Sequence, residues 1–185
     1  MKQLFLTFIM AITLLATSAV GQTIKKPTYI PDGWNIPSSE NFTPNSGWTY
    51  FLSKGNSFPF YTTGDFNGDQ TTDYVWTLLN ADKTSWEVFA FLSNSSGGFD
   101  KIDIGGKRTS YTDPMNLYTG EISNTELTFM SKGEKLCQYD DNMNVKKTVV
   151  AKYDVVMFGV YEGDKTAYYY NSATIKFEQF YSCMQ

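Results

Sequence analysis

The sequence predicts a mainly β protein: a single domain of antiparallel strands and hairpins, sandwich-like or partly propeller-like, with few or no helices. Three observations carry this. From residue 74 onward, strand-length runs rich in Val, Ile, Phe, Tyr, Trp and Thr alternate with short clusters of Gly, Asn, Asp, Ser and Lys, the pattern of strands joined by turns. No stretch keeps a helical period with capping residues at both ends. Aromatic residues make up 17% of the chain, with 13 Tyr and 4 Trp, which suits cross-strand pairs and a sheet core.

In chain order, residues 1–21 read as a secretory signal peptide. Lys2 gives a positive start, residues 4–15 are almost wholly apolar, and Ala19 and Gly21 supply small residues before a cleavage point at Gln22. The apolar run is too short for a membrane span, so no span is expected after cleavage. Residues 22–60 carry Pro27, Pro31, Pro37, Pro44 and Pro59, each of which interrupts a ladder or a helix. This part reads as an extended segment wrapped on the domain, anchored by Tyr29, Trp34, Phe42 and Trp48, with a short strand at 48–52.

The β domain is expected over 61–185. Strands at 74–79 and 86–92 form a hairpin across six polar residues. By alternation Trp86, Val88, Ala90 and Leu92 share one face, with Glu87, Phe89 and Phe91 on the other. Gly pairs at 97–98 and 105–106 bracket a strand at 99–104. Asp113 and Pro114 suit the start of a helical turn over 113–117. Further strands are expected at 126–130, 135–139, 145–153, 155–161, 166–170 and 174–181, the last three joined by short polar hairpin turns.

Composition excludes several chemistries. The chain has no His, which removes His-based nucleophilic triads, His-ligated zinc and the usual general base near neutral pH. A formal charge of −4, a single Arg (Arg108) and no Lys-rich patch leave no electrostatic footprint for nucleic acid or an anionic membrane. The two cysteines, Cys137 and Cys183, are an even pair, and an exported, secreted or periplasmic location makes one disulfide the expected state.

One motif carries chemistry. In residues 65–73 side-chain oxygens recur at the first, third, fifth and ninth positions (Asp65, Asn67, Asp69 and Asp73), and Thr71 at the seventh offers a backbone carbonyl. Hard cations such as Ca²⁺ take oxygen ligands in this manner. Three carboxylates this close repel one another unless a positive charge lies among them. The twelfth position is Trp76 rather than Glu, so this is not an EF-hand. The order Gly64-Asp65-Phe66-Asn67-Gly68-Asp69, then Asp73 and the apolar Tyr74, Val75 and Trp76, resembles the calcium loop of the FG-GAP/VCBS repeat family. That resemblance implies Ca²⁺ bound between neighbouring strands, with Asp65, Asn67, Asp69 and Asp73 as side-chain ligands and Thr71 as a carbonyl ligand. The chain departs from the pattern at Gln70, where Gly is usual, and it holds one copy of the motif rather than a periodic array.

The expected role is a non-catalytic binding or interaction module with a protein or glycan partner. An inhibitor or immunity protein of a secreted enzyme is one alternative. A carboxylate-based hydrolase is another, for which Asp140 and Asp141 qualify by residue type alone. The aromatic cluster Tyr168, Tyr169 and Tyr170 must point to both faces of its strand, leaving either core pairs or an exposed binding face.

Overall fold

The near-continuous apolar runs in the middle of the chain become the centre of a sheet that is covered on both faces. The structure is a computed structural model and describes residues 24–38, 60–82, 85–105, 125–160 and 165–183. The signal segment, the strand at 48–52, the anchors Phe42 and Trp48, and the helical turn at 113–117 lie outside them.

The described residues form eleven strands and no helix. They are β1 (Trp34–Asn35), β2 (Tyr61–Gly64), β3 (Asp73–Asn80), β4 (Trp86–Ser93), β5 (Phe99–Gly105), β6 (Thr125–Met130), β7 (Lys135–Tyr139), β8 (Val145–Val150), β9 (Val155–Val160), β10 (Lys165–Asn171) and β11 (Lys176–Ser182). Sheet one has the order β1-β3-β4-β5, with β2 also paired to β3. Sheet two has the order β6-β9-β10-β11-β7-β8. Every pairing is antiparallel, and neither sheet closes into a barrel.

The β3–β4 register sets Val75 opposite Ala90, Thr77 opposite Val88 and Leu79 opposite Trp86, so the expected alternation holds. That face meets sheet two, where Trp86 packs edge-on against Phe158 at 5.7 Å and Leu127, Val156 and Tyr170 join the same core. The opposite face is covered by residues 24–38. Tyr29 packs on Tyr74, Phe91 and Phe99, and its hydroxyl accepts the Trp76 indole N–H at 3.2 Å. Trp34 meets Phe89 edge-on at 4.7 Å. Both faces of β3 and β4 are therefore dry, which explains why their sequences are apolar almost throughout rather than alternating.

A second, smaller cluster of Leu136, Ala151, Val155, Met157, Ala167 and Phe180 sits on the far face of sheet two. Cys137 on β7 and Cys183 just after β11 form the expected disulfide between neighbouring strands, with Cα atoms 5.0 Å apart and a sequence separation of 46.

Three differences from the sequence expectation have physical causes. Strands β1 and β2 are short and lie beside the apolar hairpin, so pairing with β3 defines them rather than their own patterning. Residues 151–153 leave the ladder because Ala151 closes a turn with Gly133 and Glu134. Thr174 and Ile175 belong to the β10–β11 turn, since Asn171 accepts the N–H of Ala173 on its side chain and the N–H of Thr174 on its carbonyl.

Candidate metal centre

The acidic loop joins β2 to β3, which pair directly, so its two ends are held side by side: Gly64 lies opposite Asp73. Between them the chain turns tightly. Gly68 has φ +84° and Gln70 has φ +66°, so the position where the related pattern uses Gly does take the left-handed conformation here. A Cβ on Gly68 would also come within 2.8 Å of the Tyr153 ring, so glycine there serves both backbone and packing.

The carboxylates organise the loop through neutral donors. Asp65 accepts the Gly68 N–H on Oδ1 (2.8 Å) and the Gln70 N–H on Oδ2 (3.2 Å). The Asn67 side-chain oxygen accepts the Asp69 N–H at 2.9 Å. Asp69 accepts the Thr71 N–H at 2.8 Å, the Ser93 hydroxyl at 2.7 Å and the Asn67 amide at 3.3 Å. Asp69 is exposed; its slight burial works upward, but those donors outweigh it and hold the carboxyl below its usual range.

Asp73 differs from the other three. It has no exposed surface, and both its oxygens are occupied. Oδ2 accepts the N–H of Phe66 (2.8 Å) and of Asn67 (3.2 Å), while Oδ1 accepts the Ser93 N–H (2.7 Å) and shares the Ser93 hydroxyl proton (3.0 Å) with Asp69. Burial pushes this carboxyl above its ordinary range against the pull of the four donors. Asp73 thus ties the start of the loop to the end of β4.

The loop is also braced from sheet two. The Asp154 N–H donates to the Asp65 carbonyl at 3.0 Å, and the Asp65 N–H donates back to Asp154 Oδ2 at 3.1 Å. Asp154 Oδ1 accepts the Lys132 N–H at 3.3 Å. Tyr153, stacked on Tyr169 at 4.9 Å, backs Gly68. Sequence reasoning singled out Asp65, Asn67, Asp69, Thr71 and Asp73 but missed Ser93, Tyr153 and Asp154. Ser93 was within reach, because the hairpin register carries the end of β4 to the start of β3. Tyr153 and Asp154 are distant in sequence and carry no local signal.

Among the described residues no group of three or more carboxylate or cysteine side chains is arranged to hold a metal ion. The loop folds as a hydrogen-bonded unit in which Asp65, Asn67 and Asp69 turn their oxygens to the loop's own N–H groups, with Asp69 exposed and Asp65 and Asn67 half-buried.

The other candidates resolve differently. Asp140 caps the β7–β8 turn, accepting the N–H groups of Asn142 and Asn144 at 2.9 Å each; the Asn144 N–H, foremost, holds its carboxyl below the usual range. Asp140 and Asp141 are both exposed and on one turn, an arrangement with no facing pair for two-carboxylate chemistry. In the tyrosine cluster Tyr170 is buried and Tyr168 and Tyr169 are half-buried, so the cluster serves packing. A groove of about 660 Å³ runs past Tyr139, Asp140, Asp141, Met143 and Tyr181, with Tyr181 44% exposed. No helix among the described residues is long and apolar enough to cross a membrane. Compared with family models, with curated proteins and with solved structures, the chain matches none.

Proposed function

We propose that this protein is an exported, non-catalytic binding or interaction module whose 65–73 loop takes up Ca²⁺. One observation carries the reading: Asp65, Asp69 and Asp73 lie within nine residues, and among the described residues the hydrogen bonds they accept come from neutral donors, backbone N–H, hydroxyl or amide. Among the described residues no cationic side chain is seen paired with them, which favours a bound divalent cation. Asp65, Asn67, Asp69 and the Thr71 carbonyl are the ligands on the solvent side. Asp73 would join them by giving up part of its hold on Ser93. The left-handed Gln70 costs about 1 kcal/mol in loop geometry, which fits a weak extracellular type of site.

The aromatic groove beside Tyr139 and Tyr181 supports the binding half of the reading, since half-exposed Tyr rings flanked by carboxylates suit a glycan or a peptide. The disulfide is in keeping with an oxidising location outside the cytoplasm.

The test is a thermal melt of the chain lacking residues 1–21, with EDTA and with millimolar Ca²⁺, on wild type and Asp69→Ala. A calcium-dependent rise in Tm that the substitution removes is expected. The same Tm in all four samples would sink the calcium reading and leave a loop held by its own hydrogen bonds.

A further inference from the structure

Lys147, Asn171 and Glu178 come from three strands of sheet two, β8, β10 and β11, and meet at one carboxylate. Glu178 Oε2 accepts the Lys147 ammonium at 2.6 Å, and Glu178 Oε1 accepts the Asn171 amide at 2.5 Å. Neighbours fix which way that amide lies. The Ala173 N–H can only donate and meets the Asn171 side-chain oxygen at 3.0 Å, so the NH₂ end must face the carboxylate, which only accepts.

Register brings the group together. Tyr169 lies opposite Glu178 and Ala167 opposite Phe180, so by alternation Tyr169, Asn171, Glu178 and Phe180 share one face of the β10–β11 pair. Lys147 reaches that face from β8, across β7, with its ammonium 5.2 Å from the centre of the Phe180 ring. These side chains line a cavity of about 260 Å³. An ion pair needs only Lys147 and Glu178. Here the same carboxylate also holds a primary amide by its nitrogen, and a backbone N–H sits on that amide's oxygen.

We infer that Lys147 and Asn171 join in an intramolecular isopeptide bond, Nζ to Cγ, with Glu178 as the acid–base group and ammonia as the other product. The parts of an acyl transfer are in place: an amine as nucleophile, an amide carbonyl as electrophile, a donor on its oxygen, and a carboxylate touching both nitrogens. Glu178 takes a proton from the Lys147 ammonium. The freed Nζ lone pair bonds to Asn171 Cγ, and the carbonyl π pair moves onto Oδ1, where the Ala173 N–H meets it. Glu178 passes its proton to Nδ2, the carbonyl re-forms, and the Cγ–Nδ2 bond breaks with its electron pair leaving on nitrogen. The attacking nitrogen then loses its second proton through Glu178 to the departing ammonia. One ammonium is consumed and one released, so charge and atoms balance and no oxidant or co-reactant is needed.

The Lys147 and Glu178 side chains are 44% and 28% exposed, so water competes for the pair, and the bond is expected to form slowly once folding has assembled the three strands. The link ties β8, the last strand of the sheet, to β10, spanning the β7 and β11 segments that the Cys137–Cys183 disulfide already joins. This inference does not depend on the calcium reading.

The test is intact-mass spectrometry of the purified, folded chain over days at neutral pH, with peptide fragmentation to place any link, on wild type, Lys147→Arg and Glu178→Gln. Wild type should lose the mass of one ammonia and yield a branched peptide joining residues 147 and 171. Arg keeps the charge beside Glu178 but stays protonated and is no nucleophile, and Gln keeps the shape of Glu178 but cannot take the proton. Both variants should hold their full mass, with circular dichroism like that of wild type. A wild type at full mass throughout overturns the inference. So does an ammonia loss that fragmentation places elsewhere, as ring closure at Asn67-Gly68 would, or an equal loss in Glu178→Gln.

Discussion

Asp154 and Asp65, 89 positions apart in the chain, hold each other by reciprocal hydrogen bonds: N–H to carbonyl in one direction at 3.0 Å and N–H to carboxylate in the other at 3.1 Å. This is the direct polar link between the acidic loop of sheet one and the turn that enters β9 of sheet two. Asp154→Ala removes the acceptor for the Asp65 and Lys132 N–H groups while leaving its own N–H in place. Losing the acceptor for the partly buried Asp65 N–H costs about 1–3 kcal/mol, while water replaces it at the exposed Lys132 N–H. Urea unfolding should show that loss, and Asp154→Asn, which keeps one acceptor oxygen, should recover part of it. An alanine variant as stable as wild type would show that the Asp154 carboxylate adds nothing to the link beyond its backbone bond.

Asp73 is the site residue whose role changes most between sequence and structure. Its spacing from Asp65 marks it as a ligand, yet in the fold it accepts four hydrogen bonds in a fully buried position. Asp73→Asn would turn an amide NH₂ towards N–H or O–H donors on one side, whichever way the amide lies. Leaving charged-group hydrogen bonds unmade in a buried site costs about 3 kcal/mol. Denaturant titration in EDTA should show this full loss, because the cost belongs to the apo fold. A loss seen only in calcium would return Asp73 to the role of a simple ligand.

Among the strands that the sequence marked out, β3 and β4 are those whose residues are almost wholly buried. β3 and β4 carry Val75, Trp76, Leu78, Phe89 and Phe91, and their register follows from alternation across a polar connection. β2 left no such mark, because Tyr61, Thr62 and Thr63 are ordered by pairing to β3 and by the Tyr61–Trp76 stack at 4.6 Å, which is tertiary information. The loop was legible in its oxygens and in the left-handed demand at Gln70. Ser93 followed from the hairpin register, but the braces from Tyr153 and Asp154 were not legible, since both residues arrive from another sheet and carry no local signal.

Ile175 is the clearest strained position on the surface. It is β-branched, 64% exposed, and held at φ +55° in the β10–β11 turn. The left-handed conformation costs a branched residue about 1–2 kcal/mol, and Asn tolerates it far better. Ile175→Asn should raise stability by about 1 kcal/mol, measured by chemical denaturation, with the β10–β11 register intact. A destabilised variant would mean that the Ile175 side chain makes contacts worth more than the strain.

Alkaline pH should unfold the protein through its half-buried tyrosines. Burial, foremost, pushes the Tyr29 hydroxyl up to about 12, even though it accepts the Trp76 N–H. Burial followed by the neighbouring Tyr169 does the same to Tyr153, which donates to the Tyr170 carbonyl at 2.8 Å. In the unfolded chain both ionise near 10, so between pH 10 and 12 the folded state binds more protons than the unfolded one. Stability therefore falls as pH rises through that window, and below pH 10 these two groups contribute no pH dependence. Tm measured from pH 8 to 12 should stay level to about 10 and then drop, with tyrosinate absorbance at the melt appearing in step with unfolding. Tyr29→Phe should make the drop shallower by removing one of the protons that the raised tyrosines hold, at the cost of leaving the Trp76 N–H without its acceptor. An unchanged slope in that variant would mean that Tyr29 ionises in the folded state without resistance.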